Sequence, residues 1–270
     1  MATELHLPIG IPLPPGRMII SDEGDGDLQP LWLSDGPASA GLWVMVRAEH
    51  VRTGLWPLLL DSGEPFDSEF RPWGAGELFP ERMSSPDAHD PAELLARWWK
   101  DYTTLDEEDD MLSPEERQAV TAPFGQLWPG LASSPRSLLD PDEMAAEYAE
   151  HFVARRPQSR LGLVVAGTGS DAITVAGWDG PLNYDNDTAK FSAVVRGWEQ
   201  RFGARVVAVG PATLHLSVAA PPLTAADALL VAAEHFAFCP DNVWQSSHPY
   251  TLTAYSEQLI GAHCWEFWWD

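Results

Sequence analysis

Between residues 160 and 270 the chain alternates short apolar runs with helical segments, and few folds accommodate that order. Residues 161–166 (LGLVVA) are apolar and precede a glycine, which is typical of a buried strand. Residues 205–209 and 213–219 flank a Gly-Pro-Ala turn and predict a hairpin. In its second strand leucine and valine alternate with polar residues, so one face belongs to the core and His215 points from the other.

Helices are predicted in the segments between these strands. Asp187 is placed to cap a helix that Gly203 ends, and Thr224 is placed to cap the next one. Residues 251–260 predict a further helix, and residues 264–270 predict a terminal strand. The resulting order, β-α-β-β-α-α-β, indicates an α+β domain with helices on one side of a mixed or antiparallel sheet.

The first part of the chain predicts a small antiparallel sheet plus helices. Three short apolar runs punctuated by Gly and Pro suit strands: residues 31–33, 42–47 and 55–60. Three later segments have a capping side chain, then Pro at the first helical position, then Glu, which is typical of helix starts. These segments begin at Asp90, Ser113 and Asp140.

Acidic residues are unevenly distributed. The chain holds 40 Asp and Glu against 16 Lys and Arg, a formal net charge of −24. Residues 1–159 contain 29 acidic and 11 basic residues, whereas residues 160–270 contain 11 and 5. A Pro and polar residues end a helix near this change. We therefore predict an N-terminal α+β region of unknown role, residues 1–158, and a C-terminal domain, residues 159–270.

The acidic excess restricts the partners of the protein. Nucleic acid is not expected, because clustered Lys and Arg must meet a phosphate backbone, and an anionic membrane surface is disfavoured for the same reason. A basic protein is compatible with the charge. The Pro-rich N-terminus lacks the basic segment of a signal peptide, and no apolar run reaches the ~18–20 residues that span a bilayer, so we expect a cytoplasmic protein.

Three motifs in the C-terminal part resemble a known family. They are GWDGPLN at residues 177–183, FAFCPD at 236–241 and WEFWWD at 265–270. Together they resemble the bacterial domain-of-unknown-function family 4253, which occurs mostly as a C-terminal domain in actinobacteria. The resemblance implies one domain over roughly residues 160–270 and an actinobacterial source, which the excess of Arg over Lys fits. It implies no reaction.

A candidate metal site includes both cysteines. His235 and Cys239 are four residues apart and share a helix face, while His263 and Cys264 offer two further ligands. Zinc accepts two His and two Cys. However, neighbours on a strand point to opposite faces, and the sequence has no Cys-x-x-Cys pair. The alternative is that the cysteines are small buried apolar residues, and we expect no metal and no cofactor.

Two acidic clusters, at residues 22–27 and 106–110, suggest a second cation hypothesis. Neither has the ligand spacing of an EF-hand loop, which ends in a Glu at position twelve. Runs of charge usually form solvated loops, and that interpretation is favoured over calcium binding.

The last six residues hold three of the thirteen tryptophans. On a strand, one face carries Trp265, Phe267 and Trp269, and we assign this face to the core. The other face carries Glu266, Trp268 and Asp270. Two interpretations of this second face are open. It forms a cleft wall with an aromatic platform and an acidic rim, or helices cover it and Glu266 pairs with an arginine such as Arg196 or Arg205.

A cleft at this end of the chain would have five candidate binding residues: Trp178, Asn183, His215, Trp244 and Trp268. For Trp178 and Asn183 the alternative is a structured turn before the helix, because Asn and Asp in a Gly-Pro loop are ordinary turn residues.

Two functional hypotheses follow. The first is a non-enzymatic protein-binding module whose acidic surface engages a basic protein, for example a toxin held by an immunity protein. The second is a hydrolase-type enzyme with an acidic and aromatic cleft near the C-terminus. Its candidate acid–base residues are His235, Asp241, Glu266 and Asp270. The second hypothesis requires these four side chains to converge, and neither hypothesis specifies a ligand or an oligomeric state.

Overall fold

Seven strands form one mixed sheet in the computed structural model, which describes residues 10–22, 28–39, 41–64, 67–104, 113–135, 139–245 and 249–270. The strands are β1 (Gly16–Ile19), β2 (Leu31–Pro37), β3 (Leu55–Leu60), β4 (Arg160–Val165), β5 (Ala204–Val209), β6 (Thr213–Val218) and β7 (Cys264–Trp268). Their order across the sheet is β1-β2-β4-β3-β5-β6-β7. The β3–β5 pair is parallel, and the other neighbouring pairs are antiparallel.

Helices pack on both faces of this sheet. They are α1 (Leu42–Thr53), α2 (Pro91–Thr103), α3 (Pro114–Val120), α4 (Pro141–Arg155), α5 (Gly169–Ala176), α6 (Thr188–Phe202), α7 (Ala225–Phe238), α8 (Asp241–Trp244) and α9 (Leu252–Leu259). Two short 3₁₀ helices span Pro80–Arg82 and Pro86–Ala88. No helix in the described part of the chain combines the length and the apolar character needed to cross a membrane.

The α+β class is confirmed, and the helices of residues 160–270 lie on one side of the sheet, as expected for that part of the chain. The other side is covered by α1 and α4, which come from the first part of the chain. Central strands are apolar on both faces: Leu58 and Leu60 belong to one core, and Leu59 between them belongs to a second. Helices α1 and α4 cover the second core, while α2, α5, α6 and α7 cover the first. A strand that is buried on both faces needs such two-sided cover.

The capping signatures locate most helices correctly. The Asp90 and Asp140 side chains each accept hydrogen bonds from two backbone N–H groups in the first turn of their helices. Gly203 ends α6 with a φ of 60°, a left-handed conformation that glycine adopts without strain. The predicted hairpin is the β5–β6 pair.

Residues 42–47, predicted as a strand, are the start of α1. Trp43, Val46 and His50 are buried at helical spacing, whereas Met45 is exposed. The six-residue run is rich in valine and was too short to distinguish the two periods. A second difference is α5, a helix of eight residues at a place where the predicted element order has none. Its cap is Thr168, whose hydroxyl accepts from the Asp171 N–H.

The sheet continues across the predicted domain boundary. Strand β4 begins at Arg160 and lies between β2 and β3, both of which come from residues 1–158. The domain boundary at residue 158 therefore remains a prediction from the sequence. The sheet itself contains strands from both sides of that boundary.

Candidate functional site

Strand β7 forms one edge of the sheet and carries the terminal aromatic motif. Trp265, Phe267 and Trp269 are buried, as the alternation predicts. Phe267 stacks on Trp198 of α6, with ring centroids 5.3 Å apart and planes 10° from parallel. Trp268 points the other way and is 40 % exposed. The end of the chain thus exposes one indole, that of Trp268, and buries three aromatic side chains that anchor it.

The backbone of Trp268 is held by side chains that follow α7. Asn242 Oδ1 accepts from the Trp268 N–H at 3.1 Å, and Asn242 Nδ2 donates to the Glu266 carbonyl at 2.7 Å. The Cys239 thiol donates to the Trp268 carbonyl at 3.0 Å. An edge strand normally leaves such groups open to another strand, and here a side-chain amide occupies them.

The end of the chain is tied to the same network. The Asp241 carboxylate is buried and accepts from the Tyr184 hydroxyl at 2.7 Å and from the Asp270 N–H at 3.0 Å. Asn183 Nδ2 donates to the Asp270 carbonyl at 2.5 Å. Trp178 packs edge-on against Trp269, with centroids 5.7 Å apart. The three sequence motifs therefore meet in space, around the last residues of the chain.

The outward face of β6 and β7, which is the face that carries Glu266 and Trp268, contains a second group of polar side chains. His215 and Glu266 lie opposite each other in the strand pair, and Glu266 Oε2 is 3.9 Å from His215 Nδ1. The Tyr148 hydroxyl, from α4, is 3.2 Å from the same nitrogen. Because α4 covers it, His215 is 5 % exposed. Burial, with a contribution from the Arg156 charge, lowers the pKa of His215 to about 4, so the imidazole is neutral at neutral pH.

A cavity of about 130 Å³ adjoins His215. Its wall includes His151, Arg155 and Arg156 from the last turns of α4, together with Glu266. Basic side chains at the C-terminal end of a helix also interact favourably with the negative end of the helix dipole. The cavity has room for a small group rather than a large ligand.

The three motifs fall within the region of one family match. Residues 160–270 match the family model described as Domain of unknown function (DUF4253). The resemblance inferred from the motifs is confirmed over this C-terminal part. No curated protein and no solved structure matches the chain.

The DUF4253 segment does not gather the four candidate catalytic residues. Asp241 and Asp270 are neighbours, and Glu266 meets His215, but on the opposite face of β7 from His235. His235 is fully buried, with Nδ1 3.0 Å from the Tyr255 hydroxyl. The hydrolase hypothesis requires the four side chains to converge in one cleft, and in the described residues they do not.

The predicted binding residues also separate. Trp178 is buried, and its indole N–H donates to the Gly210 carbonyl at 2.9 Å. Trp244 is half-buried against Phe236. Asn183 is exposed and donates to the Asp270 carbonyl, and Trp268 is the exposed aromatic side chain among the five candidates.

The candidate metal ligands have other partners or positions. Cys239 is buried, which raises the pKa of its thiol, whereas Cys264 is exposed on the outward face of β7. His263 Nδ1 lies 2.8 Å from the Val218 carbonyl. In the described ranges no three His, Cys, Asp or Glu side chains form a group that could hold a metal ion. The acidic clusters fall largely outside those ranges, since residues 23–27 and 105–112 are not described.

The pairing of Glu266 with Arg196 or Arg205, which belonged to one of the two interpretations of this face, is contradicted by the structure. Arg196 pairs with Asp171 and Asp87, both on the other side of the sheet. Arg205 pairs with Asp142 at 3.1 Å. Sequence reasoning also missed Asn242, although its position directly after the Cys-Pro-Asp motif was a signal that could have identified it.

Proposed function

We propose that this protein is a non-enzymatic binding module and that the outward face of β7 anchors a basic protein partner. The observation that carries the proposal is Trp268. Its indole is 40 % exposed between Glu266 and Asp270, while Asn242 and Cys239 fix its backbone. A large aromatic side chain on a fixed backbone loses little entropy on binding, and such residues dominate binding energy at interfaces.

The charge around this face supports a basic partner. Helix α4 covers the same side of the sheet and exposes Glu143, Glu147 and Glu150. None of the three has an ion pair within the described residues, and Glu143 and Glu147 stand four apart, a spacing at which like charges destabilise a helix. With a net charge of −24, this surface would attract a cationic protein at long range.

The proposal places the protein in the cytoplasm, where a toxin held in the manner of an immunity protein is one partner of suitable charge. That example rests on analogy. The chemistry of the surface specifies a basic protein with a pocket or flat apolar patch able to receive an indole.

A capture experiment tests this function. The full chain, the Trp268→Ala variant and a Val51→Ala variant are immobilised, and lysate of the source organism is passed over each at about 50 mM and about 0.5 M salt. Val51 is 94 % exposed on α1 and serves as the matched control. Bound proteins are identified by mass spectrometry, and the affinity of each is then measured with purified protein.

We expect the wild-type chain and Val51→Ala to retain basic proteins at low salt. Retention should fall at least about ten-fold with Trp268→Ala, and should fall again at high salt. Equal retention by Trp268→Ala, or capture that salt does not weaken, would contradict the proposal.

A further inference from the structure

Arg155 is exposed in the last turn of α4. With 40 acidic residues against 16 basic ones, carboxylates are abundant, yet no ion pair joins Arg155 to a carboxylate in the described part of the structure. Its neighbour Arg156 reaches Asp61 at 3.6 Å, well beyond the ~2.7–2.9 Å of a charge-assisted hydrogen bond. Both guanidinium groups therefore retain donors for another acceptor, and both line the cavity beside His215.

His215 offers a third donor. Its Nδ1 lies 3.2 Å from the Tyr148 hydroxyl, and a hydroxyl that donates to Nδ1 leaves the proton of the neutral ring on Nε2. Nε2 has no hydrogen-bond partner among the residues that the structure describes. Only 7 % of the surface of the His215 side chain is exposed. This donor is therefore available to a ligand in the adjoining cavity.

We propose that the cavity between α4, β6 and β7 binds a small oxyanion, a carboxylate or phosphate group, through Arg155, Arg156 and His215. The cavity volume, about 130 Å³, suits one such group and is smaller than the ~300–1,000 Å³ typical of sites for larger ligands. Guanidinium groups match the geometry of carboxylate and phosphate oxygens. This site shares Glu266 with the Trp268 surface but binds its ligand through other side chains, and the proposal does not depend on the proposed function.

The charge of Glu266 predicts how substitution of this residue should change the affinity for an anion. Its carboxylate lies at the cavity wall, 3.9 Å from the ring of His215, and repels an anion there. Removal of this charge should therefore strengthen binding, whereas removal of Arg155 should weaken it. A cavity that serves packing alone would respond to neither change.

The test uses the full chain with ¹³Cε1-labelled histidine at pH 7.5. Inorganic phosphate and acetate are titrated separately at constant ionic strength, and the His215 signal, assigned with His215→Asn, is followed by NMR. Arg155→Gln, Glu266→Gln and Arg97→Gln are compared with wild type. Arg97 is exposed on α2, which packs on the opposite face of the sheet, and is the matched control.

We expect a saturable shift of the His215 signal. The Kd should rise at least about ten-fold in Arg155→Gln, fall in Glu266→Gln and stay unchanged in Arg97→Gln and in Trp268→Ala. Saturation by phosphate alone, by acetate alone or by both would assign the site to phosphate groups, to carboxylates or to oxyanions in general. No saturable shift with either anion, an unchanged Kd in Arg155→Gln, or weaker binding in Glu266→Gln would overturn the proposal.

Discussion

At the scale of single residues, His235 shows how strongly the aromatic core controls chemistry. Its ring lies 4.5 Å from Trp265, 4.8 Å from Phe267 and 5.2 Å from Trp198, measured between centroids, and is fully buried. Burial, with a smaller contribution from Arg201, lowers the pKa of His235 to about 3. The sequence predicted that Trp265 and Phe267 belong to the core, but these rings come from distant positions and no local pattern indicates that they enclose His235.

This depressed pKa predicts that acid destabilises the protein. The unfolded chain protonates His235 near its ordinary pKa of 6.5, whereas the folded protein does so only near 3. The stability that the neutral ring contributes is therefore complete above pH 6.5 and is lost as pH falls towards 3. Between pH 8 and pH 5 the free energy of unfolding should drop by about 2 kcal/mol on account of this group.

Urea unfolding of wild type, His235→Phe and His151→Gln at pH 8 and pH 5 checks this expectation. The drop between the two pH values should be about 2 kcal/mol smaller in His235→Phe than in wild type. His215, whose pKa is also lowered, remains in all three proteins, and His151 is exposed. An identical drop in His235→Phe and wild type would show that the buried ring does not carry the effect.

At the scale of elements, the outer edge of β7 depends on Asn242. In Asn242→Ala the Trp268 N–H and the Glu266 carbonyl lose their partners, and because both groups are exposed we expect the free energy of unfolding to fall by about 0.5–1.5 kcal/mol. Hydrogen exchange at the Trp268 amide should also become faster. Asn242→Asp is the matched control, because Oδ1 remains as the acceptor for that amide. Unchanged Trp268 exchange in Asn242→Ala would refute the assigned role of this side chain.

The same scale shows where sequence patterns sufficed. Side chains that cap helices act within three or four residues, so Asp90, Asp140 and Thr224 identified their helices correctly. The α1 segment failed because its start, LWVMVR, is apolar at both periods and its helical burial becomes clear only at His50. The contact between His215 and Glu266 depends on strand register, which no residue near either one specifies.

At the scale of the whole molecule, the sheet couples the two parts of the chain. Among the described strands, β4 pairs with β2 and β3, both from residues 1–158. The parallel pair between Leu59 and Leu60 of β3 and Ala208 and Val209 of β5 makes a second connection. The DUF4253 match begins at Arg160, the first residue of β4, so the matched segment starts with a strand whose partners lie outside it.

Residues 159–270 expressed alone should therefore not unfold cooperatively in urea, because β4 would have no partner and β5 would expose an apolar edge. The control is the full chain with a protease site inserted after Gln158, an exposed position, and then cleaved. The cleaved chain keeps both parts and should remain associated, with a Tm close to that of the intact protein. A cooperative transition of the isolated fragment would instead mean that the C-terminal part builds its own sheet, and β4 would then have to pair differently from its place between β2 and β3.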